Sequence, residues 1–173
     1  MATVLVPLAQ GCEELEAVTL IDLFRRAGLT VTVAGLEAGP VTASRGVVLL
    51  PETTLEAVLD QDFDLVVLPG GLGGAQRLEA DQRIAARLRR MTEQGRYVAA
   101  ICAAPKVLAS AGLLEGREAT AYPGILDGRT DLRLSSAAVV RDGTFITSRG
   151  PGTAMDFALS LIEILCDRAK RDE

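Results

Sequence analysis

The run Tyr97-Val98-Ala99-Ala100-Ile101-Cys102-Ala103-Ala104-Pro105 carries an apolar strand pattern straight into a helix start, with Cys102 at the junction and Pro105 suited to the first turn. In parallel α/β sheets, ligands bind beyond the carboxyl ends of the strands. A helix N-terminus there favours an anion, so the position lowers a thiol pKa and makes Cys102 a candidate nucleophile. The setting is that of a nucleophile elbow, with small Ala100, Ala103 and Ala104 allowing a tight turn, but without the glycine pattern of serine hydrolases. The same residues also fit a buried structural cysteine that ends a core strand. The chain contains no histidine, which removes Ser-His and Cys-His catalysis and argues against a transition-metal site. Chemistry then falls to cysteine, carboxylate, arginine, tyrosine or backbone.

Glu16 is the matching acid. On a helical wheel over Glu13–Ala27, at about 100° per residue, Leu20, Leu23 and Ala27 fall within about 40° of Glu16, whereas Glu14 and Arg25 fall about 160° and 180° away. A carboxyl in the apolar stripe, with no obvious cation beside it on its own helix, has a raised pKa and can act as a neutral donor or a general acid/base. The alternative is a first-turn glutamate that escapes to solvent beside the positive helix end. Leu68-Pro69-Gly70-Gly71-Leu72-Gly73-Gly74 supplies backbone amides free of side chains, as an oxyanion hole requires, and Gly71 is the candidate donor there. The run is neither a dinucleotide fingerprint nor a P-loop, and it also reads as a plain turn. Cys12 precedes a helix too, but Glu13 and Glu14 beside it disfavour a thiolate. Cys166 reads as packing in the last helix. Locally, Arg26, Arg45 and Arg149 read as solvated surface arginines.

These residues need a sheet to position them. The chain has 173 residues, 49% hydrophobic and 24% charged, enough for one core and short for two. Apolar runs alternate with helical patterns, which argues a mostly parallel sheet covered on both faces, and residues 1–173 read as a single domain. Strands are expected at Thr3–Leu8, Thr30–Ala34, Val47–Leu50, Asp64–Leu68, Tyr97–Ile101 and Glu118–Ala121. A hairpin of Ala137–Val140 and Thr144–Thr147 should turn at Asp142-Gly143. Helices are expected at Glu13–Ala27, Thr54–Leu59, Gln82–Gln94, Ala104–Ala111 and Ala154–Ala169, the last capped by Thr153, with a tail at Asp167–Glu173 ready to fray. A net charge of −5 offers no basic field for nucleic acid. Three cysteines without close spacing, an N-terminus without a basic leader and no apolar run near 20 residues together read as a soluble, cytoplasmic protein with reduced thiols.

Four motifs carry a family resemblance: Gly11-Cys12-Glu13-Glu14-Leu15-Glu16, Leu68-Pro69-Gly70-Gly71, Ala99-Ala100-Ile101-Cys102-Ala103-Ala104-Pro105, and Thr147-Ser148-Arg149-Gly150-Pro151-Gly152-Thr153. In order and spacing they resemble the ThiJ/PfpI superfamily, in the branch of the parkinsonism-associated deglycase and its bacterial relatives, over nearly the whole chain. The resemblance implies a flavodoxin-like three-layer α/β sandwich, a homodimer, no cofactor and no metal. It also implies a site made of Cys102, protonated Glu16 and the amides of Gly71 and Ala103, with Arg26, Arg45, Tyr122 and Arg149 as site or dimer-interface support. Tyr122 stands where many members carry a histidine, which weakens a peptidase reading. The activity implied is a glyoxalase or deglycase that converts methylglyoxal-type 2-oxoaldehydes, or their early amine adducts, to 2-hydroxy acids. The alternative is a redox-sensing, chaperone-like oxidative-stress protein that works through oxidation of Cys102.

Overall fold

A computed structural model describes all residues, 1–173. In chain order the strands and helices are β1 (Thr3–Leu8), α1 (Glu14–Arg26), β2 (Thr30–Gly35), β3 (Val41–Thr42), β4 (Val48–Leu49), β5 (Thr53–Thr54), β6 (Leu65–Leu68), α2 (Leu72–Ala80), α3 (Gln82–Glu93), β7 (Tyr97–Ile101), α4 (Pro105–Ser110), β8 (Glu118–Ala119), β9 (Arg133–Leu134), β10 (Val139–Asp142), β11 (Phe145–Ser148), α5 (Ala154–Leu165) and α6 (Arg168–Asp172). Seven strands make one sheet in the order β10-β11-β7-β6-β1-β2-β5, in which only β10 runs antiparallel to its neighbour. The apolar runs are continuous because both sheet faces are covered. Along β6, Leu65 and Val67 join the core under α1 and α5 with Leu20, Phe24 and Phe157, while Val66 and Leu68 join the opposite core with Ile84, Leu88 and Leu108 of α3 and α4. The chain leaves β1 towards β2 on one side and returns to β6 on the other. That reversal opens a crevice at the carboxyl ends of β1, β6 and β7, where such sheets bind ligands. No helix is long and apolar enough to cross a membrane.

Several elements differ from the sequence expectation. Of Val47–Leu50 only Val48–Leu49 pairs, antiparallel to β3 and apart from the main sheet, and of Glu118–Ala121 only Glu118–Ala119 pairs, with β9. Thr54–Leu59 is no α-helix: Thr53–Thr54 add an edge strand, and a single 3-10 turn follows at Glu56–Val58. The glycine run opens α2 instead of remaining a turn, because Gly74 must approach the chain before α1; a Cβ there would stand 2.7 Å from Cys12 Cα. The hairpin register pairs Asp142 with Phe145, so its loop is Gly143-Thr144, with Gly143 taking the positive φ of 62°. Thr153 does not cap α5. Its Oγ1 accepts from the Gly150 N–H at 3.1 Å and meets Ser148 Oγ at 2.7 Å, while a 3-10 turn at Pro151–Thr153 leads into the helix. α5 stops at Leu165, leaving Cys166 exposed where packing was expected. The tail is a short helix, begun by Asp167 accepting from Lys170 N–H and tied to α5 through Arg171 and Glu163.

Candidate active site

Cys102 is the only non-glycine residue with a positive φ, 65°. The left-handed conformation costs an L-residue of order 1–2 kcal/mol, and the surroundings impose it. The Cys102 N–H donates to Ser148 O at 3.0 Å, and the Cys102 carbonyl accepts from Tyr122 N–H at 2.8 Å, so the first of the three residues between β7 and α4 is clamped from two sides. This is the elbow that the strand-to-helix sequence suggested.

Glu16 enters from the first turn of α1 and is fully buried. Its Oε2 accepts from Gly70 N–H at 2.7 Å, and its Oε1, equally buried, has no partner. Carboxyl and sulfur meet across Gly70: a Cβ on that residue would stand 2.6 Å from Cys102 Cβ and 2.7 Å from Glu16 Oε2. Gly71 holds the next turn at φ 84°, and a Cβ on it would stand 2.4 Å from Gly11 O. Glycine at both positions brings two loops and the acid together without intervening atoms. The amides of Gly71 and Ala103 act on the sulfur and draw its pKa down.

Their pull is not the largest influence. Burial, then the charge of Glu16, raises the Cys102 thiol to about 12 while Glu16 is ionised, which reverses the lowered pKa expected from the helix end alone. Glu16 itself rises to about 7, chiefly through burial, against the opposing hydrogen bonds of Gly70 and Cys102. Those values make the carboxyl the more acidic partner of the two, and between them the pair holds one proton and one negative charge.

Glu14 lies on the other side of α1, as the wheel expects, yet it is nearly buried there. Its carboxylate accepts from Arg45 N–H at 2.8 Å and Ser44 Oγ at 3.0 Å. Burial pushes its pKa up, but hydrogen bonds from its own amide, Ser44, Arg45 and Val47 together hold it below the usual value. Cys12 is buried as well, and burial followed by the Glu14 charge raises its thiol to about 11. No glycine-framed acid or pair of amides redeems that position.

The remaining predicted residues separate. Tyr122 reaches the elbow through its amide, and its half-exposed ring lies against Gly150; Arg149 follows the Ser148 carbonyl that holds Cys102. Arg45 touches Glu14 through its backbone, on the far side of α1 from Cys102. Arg26 pairs with Asp22 at the other end of α1, about 15 Å along the axis from Glu16 at 1.5 Å per residue, and takes no part in the site within one chain. Sequence reasoning missed Gly70 as the donor to Glu16 and Ser148 as the anchor of the elbow. Both lie inside the quoted motifs, but spacing does not tell which amide or carbonyl of a run is used.

A doubly covered parallel sheet whose switch point carries a strained cysteine and a buried carboxyl defines the class. The DJ-1/PfpI family model matches residues 2–164, and the chain belongs to that family. It is 45% identical over 172 residues to protein dj-1beta of Drosophila melanogaster, covering 98% of this chain and 92% of that one. It is 34% identical over 166 residues to the glutathione-independent glyoxalase DJR-1.2 of Caenorhabditis elegans, covering 95% and 88%. The solved structure of oxidized Toxoplasma gondii DJ-1 superposes with a TM-score of 0.95 at 40% identity, covering 99% of this chain and 95% of that one.

Proposed function

We propose that the chain is a cofactor-independent glyoxalase, acting on methylglyoxal-type 2-oxoaldehydes or their early adducts with amines, with Cys102 as nucleophile and Glu16 as proton shuttle. The observation that carries this reading is the buried, unpartnered Oε1 of Glu16 beside a strained cysteine. A lone buried oxygen is costly as a bare acceptor and is relieved if it carries the pair's one proton, which moves the negative charge to the sulfur, where two amides receive it. The name of the nematode relative supports the same activity.

In this mechanism the thiolate adds to the aldehyde carbon, and the Gly71 and Ala103 amides stabilise the oxyanion until Glu16 gives it the proton. The Glu16 carboxylate then removes the hydrogen from that carbon and returns the proton to the neighbouring one, while the hydroxyl proton passes between the two oxygens. The first carbon is oxidised to a thioester as the second is reduced to an alcohol. Water cleaves the C–S bond, so that methylglyoxal plus water gives lactate with no external oxidant. Lactate formation by the purified protein tests the proposal. Cys102→Ala should abolish it, and lactate formed equally by that variant would overturn it.

The redox-sensing alternative rests on the same oxygen, since a protonated Oε1 can donate to an oxidised sulfur. A sulfinate at Cys102 should then gain a charge-assisted bond of roughly 1.5–3 kcal/mol and raise the melting temperature. No such shift, or the same shift in Glu16→Leu, would discard it. Homodimerisation also belongs to this proposal. Exposed Val18 of α1 and Leu50 beside β4 line, with Ile21 and Leu49, a groove of about 300 Å³, and a second copy is the expected occupant. A monomer by light scattering at micromolar concentration would contradict that assignment.

A further inference from the structure

The elbow is also bound to a second cleft, of about 340 Å³, lined by Tyr122, Asp127, Leu134, Ser135, Ser136 and Arg149 among others. That volume falls at the lower end of the range for small-molecule sites, roughly 300–1,000 Å³. Two of its walls hang from Cys102: the Tyr122 amide donates to the Cys102 carbonyl, and Arg149 directly follows Ser148, whose carbonyl accepts the Cys102 N–H. The backbone bonds that strain Cys102 therefore also hold two walls of this cleft.

Arg149 is the only cation lining the cleft, and no carboxylate pairs with it. Its Nη1 donates to the Ser136 backbone carbonyl at 2.8 Å, which anchors one corner of the guanidinium and leaves its other four N–H donors without a protein partner. The hydroxyls of Ser135 and Ser136 and the half-exposed ring of Tyr122 add neutral polar and flat apolar surface. Asp127 is the one opposing charge. A fixed, unpaired guanidinium between hydroxyls suits a carboxylate, which takes two parallel N–H bonds.

We propose that this cleft is the specificity subsite for 2-oxoaldehydes that carry a carboxylate at the far end, with Arg149 as its anchor. The inference rests on the glyoxalase reading and names its substrate class. The chemistry is the same as for methylglyoxal: water is added, the aldehyde carbon becomes a carboxylate, the ketone becomes an alcohol, and the product is a hydroxy diacid.

The test compares kcat/KM for 4,5-dioxopentanoate and for methylglyoxal in the wild type, Arg149→Gln, Arg149→Lys and Asp127→Asn. The wild type should prefer the anionic substrate at least tenfold. Arg149→Gln should cut that preference at least tenfold, through KM more than kcat. Arg149→Lys should restore part of it, and Asp127→Asn should raise it. Asp127→Asn leaves the Arg149–Ser136 bond in place, so it reads the cleft's charge even if Arg149→Gln folds poorly. Turnover of methylglyoxal without preference for the anion, or an Arg149→Gln loss equal for both substrates, overturns the subsite and leaves the glyoxalase reading standing. Turnover of neither substrate overturns both.

Discussion

Glu14 and Glu16 stand two residues apart in the first turn of α1, and both are withdrawn from water, yet their carboxyl groups shift in opposite directions. Glu14 meets the hydroxyl of Ser44 and the amides of the β3–β4 connection, so its charge is satisfied and its pKa falls. Glu16 meets only the Gly70 amide and the Cys102 thiol, so burial wins and its pKa rises to about 7. Deeper burial and fewer donors together keep Glu16 from staying ionised as Glu14 does. On one side of α1 the carboxylate is a fastener, and on the other it is an acid that can exchange a proton.

Turnover should separate the two most widely. Glu16→Gln keeps size and a donor but cannot relay a proton, and should lower methylglyoxal turnover by about 10²–10⁴, the usual contribution of general acid–base catalysis. Glu14→Gln should retain a rate close to the wild type. Equal losses, measured by lactate formation, would erase the distinction between the two sides.

Stability against pH should separate them next. A carboxyl whose folded pKa is raised makes the folded state bind protons more tightly. For the Glu16–Cys102 pair, whose first proton leaves at about 7 in the folded state against 4.5 for a free carboxyl, the contribution is full below pH 4.5 and is lost as pH rises through about 7, by on the order of 3 kcal/mol. Glu16→Leu should flatten that fall in urea unfolding at a series of pH values. Glu14 has the opposite sign: its contribution is present above the ordinary carboxylate pKa and is lost as pH falls through its depressed value. Glu14→Gln should therefore destabilise the protein at neutral pH and progressively less in acid, and a penalty that grows on acidification would refute the fastener role.

The smallest effect concerns the two buried thiols. Limited alkylation near pH 7 with peptide mass spectrometry should label Cys102 before Cys12, because burial and then the Glu14 charge raise the Cys12 thiol and no acid is hydrogen-bonded to it to take up its proton, whereas Cys102 has Glu16. Cys166, exposed at the end of α5, serves as the solvent-accessible reference in the same digest. Cys12 labelling ahead of Cys102 would reverse the assignment of nucleophile.

The contrast was half legible in the sequence. The wheel placed Glu16 in the apolar stripe and Glu14 opposite, because helical periodicity fixes direction. It could not show that the loop carrying Ser44 and Arg45 folds over Glu14, since that contact spans about thirty residues and leaves no local pattern. The strand–Cys102–helix junction announced the elbow, and the central strands were readable because both their faces are buried. The two-residue pairings of β3, β4, β8 and β9 were missed or overextended, since edges so short carry no periodicity. α2 was hidden by its own glycines, which are there for close approach to the Gly11–Cys12 turn at the expense of helix propensity. The thiol pKa was misjudged because a helix end was weighed without the burial and the neighbouring carboxylate that oppose it.

The central claim is the location of one proton: on Glu16, with the negative charge on the sulfur of Cys102. Thiolate ultraviolet absorbance followed across pH, with Cys102→Ser as the blank, tests it most directly. The account predicts that the Cys102 thiolate signal is already present near neutral pH and is diminished there in Glu16→Leu, which lacks the donor. A Cys102 thiolate that stays absent until the pH approaches 12 would place the proton on sulfur and contradict the shuttle.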